Sequence, residues 1–226
     1  PAGLPVARKR CMAIWSDVQA RAFLVAVADD ELYAMWVLFL TTGLRRGEIA
    51  ALRWEDVDLE RATMAVVRNR VSAGRGKAVS VHQPKTRGGR RNVALDATSI
   101  EVLRLHRTAQ REERLRLGPA WMDSGYVFCG IDGAALHPDT ITGTFRTIVT
   151  DLDLPRIRLH DLRHTSATLA LKAGVHPKVV SERLGHATVG ITLDLYSHVL
   201  DSMQAEAAEQ IGDVIFGNQI SGGAGL

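Results

Sequence analysis

The stretch Leu159-His160-Asp161-Leu162-Arg163-His164-Thr165-Ser166 carries the residue types best suited to chemistry on a phosphate. His160 and Arg163 stand three apart, so on a helix they leave one face, one above the other. A guanidinium forks across two phosphate oxygens, and a neighbouring imidazole supplies a further donor or a base. Solvated helix faces often carry such pairs, so the spacing alone does not decide. A metal site is the rival reading, because His160 and His164 are i, i+4. However, no glutamate follows His160, and Arg163 would set a cation beside the ion, so no metal is expected.

Further reactive residues lie in order along the chain. Thr42-Gly43-Leu44-Arg45-Arg46-Gly47-Glu48-Ile49 comes first, then Pro84-Lys85-Thr86-Arg87-Gly88-Gly89-Arg90-Arg91. Leu184-Gly185-His186 and Leu195-Tyr196-Ser197-His198 follow the His160 segment. Tyr196 stands ten residues after His186. A phenol with a pKa near ~10 attacks poorly at neutral pH unless cations stabilise its anion or a base takes its proton.

Arginine, lysine, His-x-x-Arg, histidine and tyrosine in this order and spacing resemble the catalytic domain of the tyrosine recombinases, the phage-integrase family. The resemblance runs from about Trp15 to about His198. It implies that Tyr196 is the nucleophile on a DNA phosphodiester, leaving a 3′-phosphotyrosine and a free 5′-hydroxyl. It implies that Arg45 and Arg163 clamp the phosphate, with Arg45 preferred to Arg46 because it directly follows Gly-Leu. Donors aimed at the non-bridging oxygens stabilise the transition state more than the ground state. Glu48, one turn on, would hold Arg45 in position. Lys85 would protonate the leaving 5′-oxygen, with Lys77 as the less well matched alternative. His160 would act as acid or base toward Tyr196, and His186 would hydrogen-bond the phosphate. Neither cofactor nor ATP is implied, because the ester keeps the bond energy. A tyrosine topoisomerase acting as a monomer, or a non-catalytic DNA-binding module on the same scaffold, are the alternatives.

The elements that must position these residues read as mainly helical with a little β, an α+β chain. Ser16 or Asp17 caps a helix through Val27, with Val18, Ala22, Phe23 and Val25 on its apolar side. Residues 31–42 form a buried helix ended by Gly43, and residues 45–52 a short one. Strands over residues 63–71, 78–83 and 90–95 make one small three-stranded antiparallel sheet. Helices follow over residues 96–117, 139–152, 161–173 and 177–184, with Pro177 as a first helical residue. Two more segments, 188–198 and 201–211, close the chain. By domain, residues 1–11 read as a linker, 12–200 as the catalytic domain, and 201–226 as a helix and tail that docks on its own core or on a neighbour. A chain opening in a linker is expected to be a fragment whose N-terminal DNA-clamping domain lies outside it.

Composition agrees with a polyanionic partner. The 226 residues suffice for a substantial core and carry a net charge of +3. Between Arg61 and Leu95 there are nine Lys or Arg and no Asp or Glu. Such a run, mixed with strand formers and glycines, reads as a basic hairpin surface facing duplex DNA, with Arg68, Arg70, Arg87, Arg90 and Arg91 as contacts. No segment reaches the roughly 20 apolar residues of a membrane span. The two cysteines, Cys11 and Cys129, form no scaffold of bridges. With no leader visible, a cytoplasmic protein is expected, working as a homotetramer on DNA with the tail contacting a neighbouring subunit.

Overall fold

A computed structural model describes residues 13–74, 77–84 and 89–216, without side chains over 194–206. Helix α1 (Asp17–Ala26) starts at a reciprocal cap, in which Gln19 N–H donates to Ser16 Oγ and Ser16 N–H to the Gln19 side chain. Its inward stripe is Ala20, Phe23 and Val27, while Val18 and Val25 are 64% and 77% exposed. The expected apolar side is therefore wrong in phase. The i, i+3, i+7 set is the one that faces the core.

Helix α2 (Tyr33–Thr42) is the central rod, buried from Ala34 to Leu40. It packs against α1, α4 (Ala97–Leu117) and α6 (Asp161–Lys172). Around it Trp15, Phe23, Trp36, Phe39 and Phe145 form one aromatic cluster with centroids 5.1 to 6.0 Å apart. Truncating one such ring to alanine typically costs ~3–5 kcal/mol. Trp15 also ties the start of the domain to its far end. Its indole N–H donates to the Pro155 carbonyl at 2.8 Å, and its backbone N–H to Thr165 Oγ1 at 3.1 Å.

The β region departs from the expectation of one sheet with a long first strand. Strands β1 (Val57–Asp58), β2 (Thr63–Val66) and β5 (Arg91–Ala94) form a three-stranded antiparallel sheet in the order β1-β2-β5. Strands β3 (Asn69–Ser72) and β4 (Val79–His82) form a separate two-stranded ribbon. The chain leaves the sheet at Val67-Arg68. There Arg68 is held by Asp56 and Glu55, each at 2.5 Å, and β3 moves onto α3 (Arg46–Ile49). Gly47 admits that approach, since a Cβ there would stand 2.0 Å from Asn69 Oδ1 and 2.6 Å from the Arg70 carbonyl.

Helix α4 (Ala97–Leu117) is capped by Asp96, which accepts from Ser99 N–H at 2.9 Å. Helices α5 (Pro138–Asp151) and α7 (Pro177–Leu184) both open on proline after a histidine whose Nδ1 accepts the N–H of the residue following the proline. Helix α6 (Asp161–Lys172) lies between them. The last two expected segments are one helix, α8 (Val189–Phe216). No glycine or proline interrupts residues 191–211, so nothing stops the helix between residues 198 and 201, where a break was expected. Among the described residues, no helix is long and apolar enough to cross a membrane.

Candidate active site

Gly43 ends α2 in the left-handed region, at φ 63°, and a Cβ on it would meet Leu184 Cδ2 at 2.5 Å. This glycine therefore brings the end of α2 against the end of α7 and turns the chain so that Arg45 opens α3. Glu48 reaches back from the first turn of α3. One of its oxygens accepts from Arg45 N–H and the other from Arg45 Nη1, both at 2.9 Å. Glu48 thus holds both the backbone and the guanidinium of Arg45.

The C-terminal turn of α7 gathers the arginines. The helix closes with Gly185 N–H on the Glu182 carbonyl and His186 N–H on the Ser181 carbonyl, each at 3.0 Å. The next three carbonyls project beyond the cap, where the helix end is negative. Arg183 O accepts from Arg91 Nε at 2.6 Å, Leu184 O from Arg163 Nη2 at 2.7 Å, and Gly185 O from Arg45 Nη2 at 3.3 Å. Arg163 is buried, and its Nη1 also donates to the Gly43 carbonyl at 2.7 Å. Arg45 remains 40% exposed at the side chain. Residues 45, 91 and 163, distant in sequence, thus meet on one turn.

His186 follows directly and shares a hydrogen bond with the buried Thr192 hydroxyl through Nδ1, at 2.8 Å. With Thr192 donating, the neutral ring carries its proton on Nε2 as a donor. Burial, then the charges of Arg163 and Arg45, lower the His186 pKa to about 4. His160 precedes α6, its ring edge-on to His164 at 5.1 Å. Burial and Arg163 push His160 below its ordinary value, and burial and His160 do the same to His164. In each case the shift favours the neutral ring. Asp161 anchors this turn, accepting from the Arg158 N–H at 2.8 Å and guanidinium at 2.7 Å.

Tyr196 lies on α8, which packs against α6 and α7, the helices carrying the residues above. Its side chain falls outside the described residues, as do Lys85 and Arg87 altogether. Lys77 lies beside Gly74, and its carbonyl faces His137 Nε2 at 3.2 Å.

The expected DNA-facing arginines divide. Arg90 is exposed and bonded to the Gln83 side chain. Arg68 is spent on Asp56 and Glu55. Arg70 is buried, donating to the Leu136 carbonyl at 2.7 Å with its guanidinium 4.9 Å from the Tyr126 ring centroid. Arg91 is only 7% exposed at the side chain and forks onto both oxygens of Glu48, at 3.0 and 2.9 Å. Arg70 and Arg91 are therefore internal struts rather than surface cations. Strand alternation held the signal for Arg91, which shares its inward face with the buried Val93. Burial pushes the Glu48 carboxyl up, but the Arg91 hydrogen bond and charge, followed by Arg45, hold it below the ordinary value.

A model of the phage integrase family matches residues 19–203. The chain is 33% identical to a XerC-like tyrosine recombinase of Caldanaerobacter subterraneus over 88% of its own length and 54% of that protein's. It is 29% identical to the ICEBs1 integrase of Bacillus subtilis, over 94% and 57% respectively. The chain thus spans about half the length of the curated relatives it matches. In fold it is similar to the Tn1549 transposon integrase solved with transposon right-end DNA, with a TM-score of 0.74 at 23% identity, covering 89% of this chain and 67% of that one. The XerA recombinase gives a TM-score of 0.68 at 23% identity, covering 91% and 66%.

Proposed function

The chain belongs to the phage integrase family, and on that premise we propose that it is the catalytic part of a site-specific DNA recombinase acting through a 3′-phosphotyrosyl intermediate. The observation that carries this reading is the α7 turn, where Arg45 and Arg163 meet on adjacent carbonyls next to His186. Two guanidiniums and a neutral imidazole donor suit a pentacoordinate phosphorane, whose non-bridging oxygens gain charge as attack proceeds.

In the proposed reaction, Tyr196 Oη attacks the scissile phosphorus and gives up its proton to His160. Arg45 and Arg163 stabilise the added charge, and His186 donates to a phosphate oxygen. The bond to the 5′-oxygen breaks, and Lys85 supplies the proton that this alkoxide needs. The phosphotyrosine ester keeps the energy of the broken bond, so a 5′-hydroxyl from another strand can reverse the step without ATP. Glu48 orients Arg45 from behind. The partners on this reading are double-stranded DNA in the bacterial cytoplasm and further copies of the chain, four on each pair of sites. The apolar end of α8 is the element offered to a neighbour: Ile211, Val214, Ile215 and Phe216 are 59%, 86%, 66% and 63% exposed.

A nicked duplex with random sequence around the nick tests the reading, because loss of the short strand traps any covalent adduct. Wild-type chain should yield an adduct and Tyr196→Phe none, while the mutant still binds DNA. Binding without any adduct from the wild type would favour the non-catalytic DNA module, and relaxation of supercoiled DNA without strand exchange would favour a topoisomerase.

A further inference from the structure

The buried network behind Arg45 holds two guanidiniums and one carboxylate. Glu48 accepts from Arg91 through both oxygens and from Arg45 through its Nη1 and backbone N–H. Arg91 is the inner partner, with side-chain exposures of 7% for Arg91 and 4% for Glu48. Arg45 is the outer one, at 40%. One negative charge cannot neutralise two positive ones. The fork places Arg91 as the cation that Glu48 compensates, and the excess charge falls on the exposed Arg45.

We propose that Arg91 is a positioning residue for the reaction: it neutralises Glu48, so that Glu48 can aim Arg45 without quenching the charge Arg45 presents to the phosphate. This rests on the reading of Arg45 as a phosphate clamp. The arrangement answers a design conflict. A carboxylate is a good holder for an arginine because it binds the fork in a fixed plane. An unshared carboxylate would also pair with that arginine as a neutral unit and draw it back from its substrate. Arg91 removes the conflict from the buried side, where water cannot compensate Glu48. It also fixes the geometry at both ends, because its Nε holds the Arg183 carbonyl of α7. Arg183 returns the contact, its guanidinium donating to the Ala94 carbonyl of β5 at 3.1 Å and the Thr41 carbonyl of α2 at 3.3 Å. Strand β5 and the α7 turn are thereby clamped from both sides. Burial pushes the Glu48 carboxyl up, and the Arg91 hydrogen bond, followed by the Arg91 charge, is what chiefly holds it below its ordinary value.

The test uses the whole chain and duplexes first trapped covalently from the random nicked pool by the wild type. Arg91→Gln keeps length and a donor but no charge. It should slow adduct formation by about 10²-fold while leaving the salt dependence of DNA binding unchanged. Adding Glu48→Gln to Arg91→Gln should recover at least about tenfold of that loss, because Arg45 is no longer held by an uncompensated carboxylate. A purely structural role would make the double variant worse than the single one. The rate of Arg91→Gln relative to the wild type should also rise as the pH is lowered and Glu48 protonates, because His160 titrates alike in both. Arg91→Lys, which retains charge and loses the fork, should fall between the two, and it serves if Arg91→Gln does not fold. A flattened salt slope in Arg91→Gln would make Arg91 a DNA contact and overturn the proposal. So would a double variant no faster than the single, or a rate of Arg91→Lys equal to that of Arg91→Gln. No adduct from the wild type would instead overturn the recombinase reading itself.

Discussion

At the residue scale, the site buries its histidines among positive charges, and burial first, then the charge around them, lowers their pKa. His186 is the extreme case, with a pKa of about 4 against an ordinary 6.5. An unfolded chain takes up protons on such a ring near pH 6.5, and the folded chain only well below it. Stability from this histidine is therefore complete above about pH 6.5 and lost as pH falls toward 4. Proton NMR of the ring should show it neutral at pH 6, and binding of a DNA phosphate should raise its pKa, since the anion offsets Arg163 and Arg45. An unmoved titration would place His186 away from the phosphate. Lys85 has its own discriminating test. Lys85→Ala should slow cleavage of ordinary DNA by roughly 10²–10⁴-fold, and sulfur at the bridging 5′ position should restore it, because a thiol pKa near ~8.5 makes protonation unnecessary. Rescue of Lys77→Ala and not of Lys85→Ala would move the acid to the loop beside Gly74. Residue types and order singled out Arg45, Glu48, His160, Arg163 and His186, and the fold brings Arg45 and Arg163 onto the α7 turn beside His186, with Glu48 on Arg45. Types and order were not enough to sort the basic run, because charge counts alike whether an arginine faces water or, like Arg70, faces Tyr126 and a carbonyl. Only the strand register separates those cases.

At the element scale, Gly43 and Gly47 permit the close approaches on which the site is built. Gly47→Ala would set a methyl against Asn69 Oδ1 and the Arg70 backbone, so α3 and β3 must separate. The expected cost is about 1–3 kcal/mol, read as a fall of several degrees in the unfolding midpoint. Adduct formation should fall further than stability explains, because α3 carries Arg45 and Glu48. A variant as stable and as active as the wild type would show that β3 is free to shift. Helix positions were legible from caps and prolines, and α7 begins and ends where its Pro177 and Gly185 place it. The β region was less legible. A run of valines states that residues extend, not which partner they pair with. The switch at Val67-Arg68 depends on Gly47 and on Asp56, both remote from it in pattern. The continuity of α8 has a consequence for the tail as well. Removal of residues from Gly212 onward takes, among the described residues, the exposed end of a helix whose other end packs on α6 and α7. Circular dichroism and melting should change little, while assembly of several chains on one DNA should weaken. Normal assembly by the truncated chain would show that the apolar end docks nowhere in trans.

At the scale of the whole molecule, the net charge of +3 understates the field that DNA would meet, because it is the sum of a basic middle and acidic ends. Binding to duplex DNA should weaken steeply with salt, and Arg87→Glu with Arg90→Glu should flatten the logarithmic slope by about 0.9 for each phosphate no longer neutralised. Arg70→Ala should lower stability instead and leave that slope alone. An unchanged slope in the double reversal would turn the hairpin toward solvent. The α7 turn also sets a schedule. Its three carbonyls take their arginines from 92, 21 and 140 residues away along the chain. Such distant closures form late, after nearer contacts have offset their loss of entropy. A chain still emerging from the ribosome therefore holds Arg45, Arg91 and Arg163 with nothing to gather them until residue 185 is free. On the proposed function, a partly made protein has no means of cutting the chromosome beside it, and the capacity to break DNA arrives only with the capacity to hold the broken end.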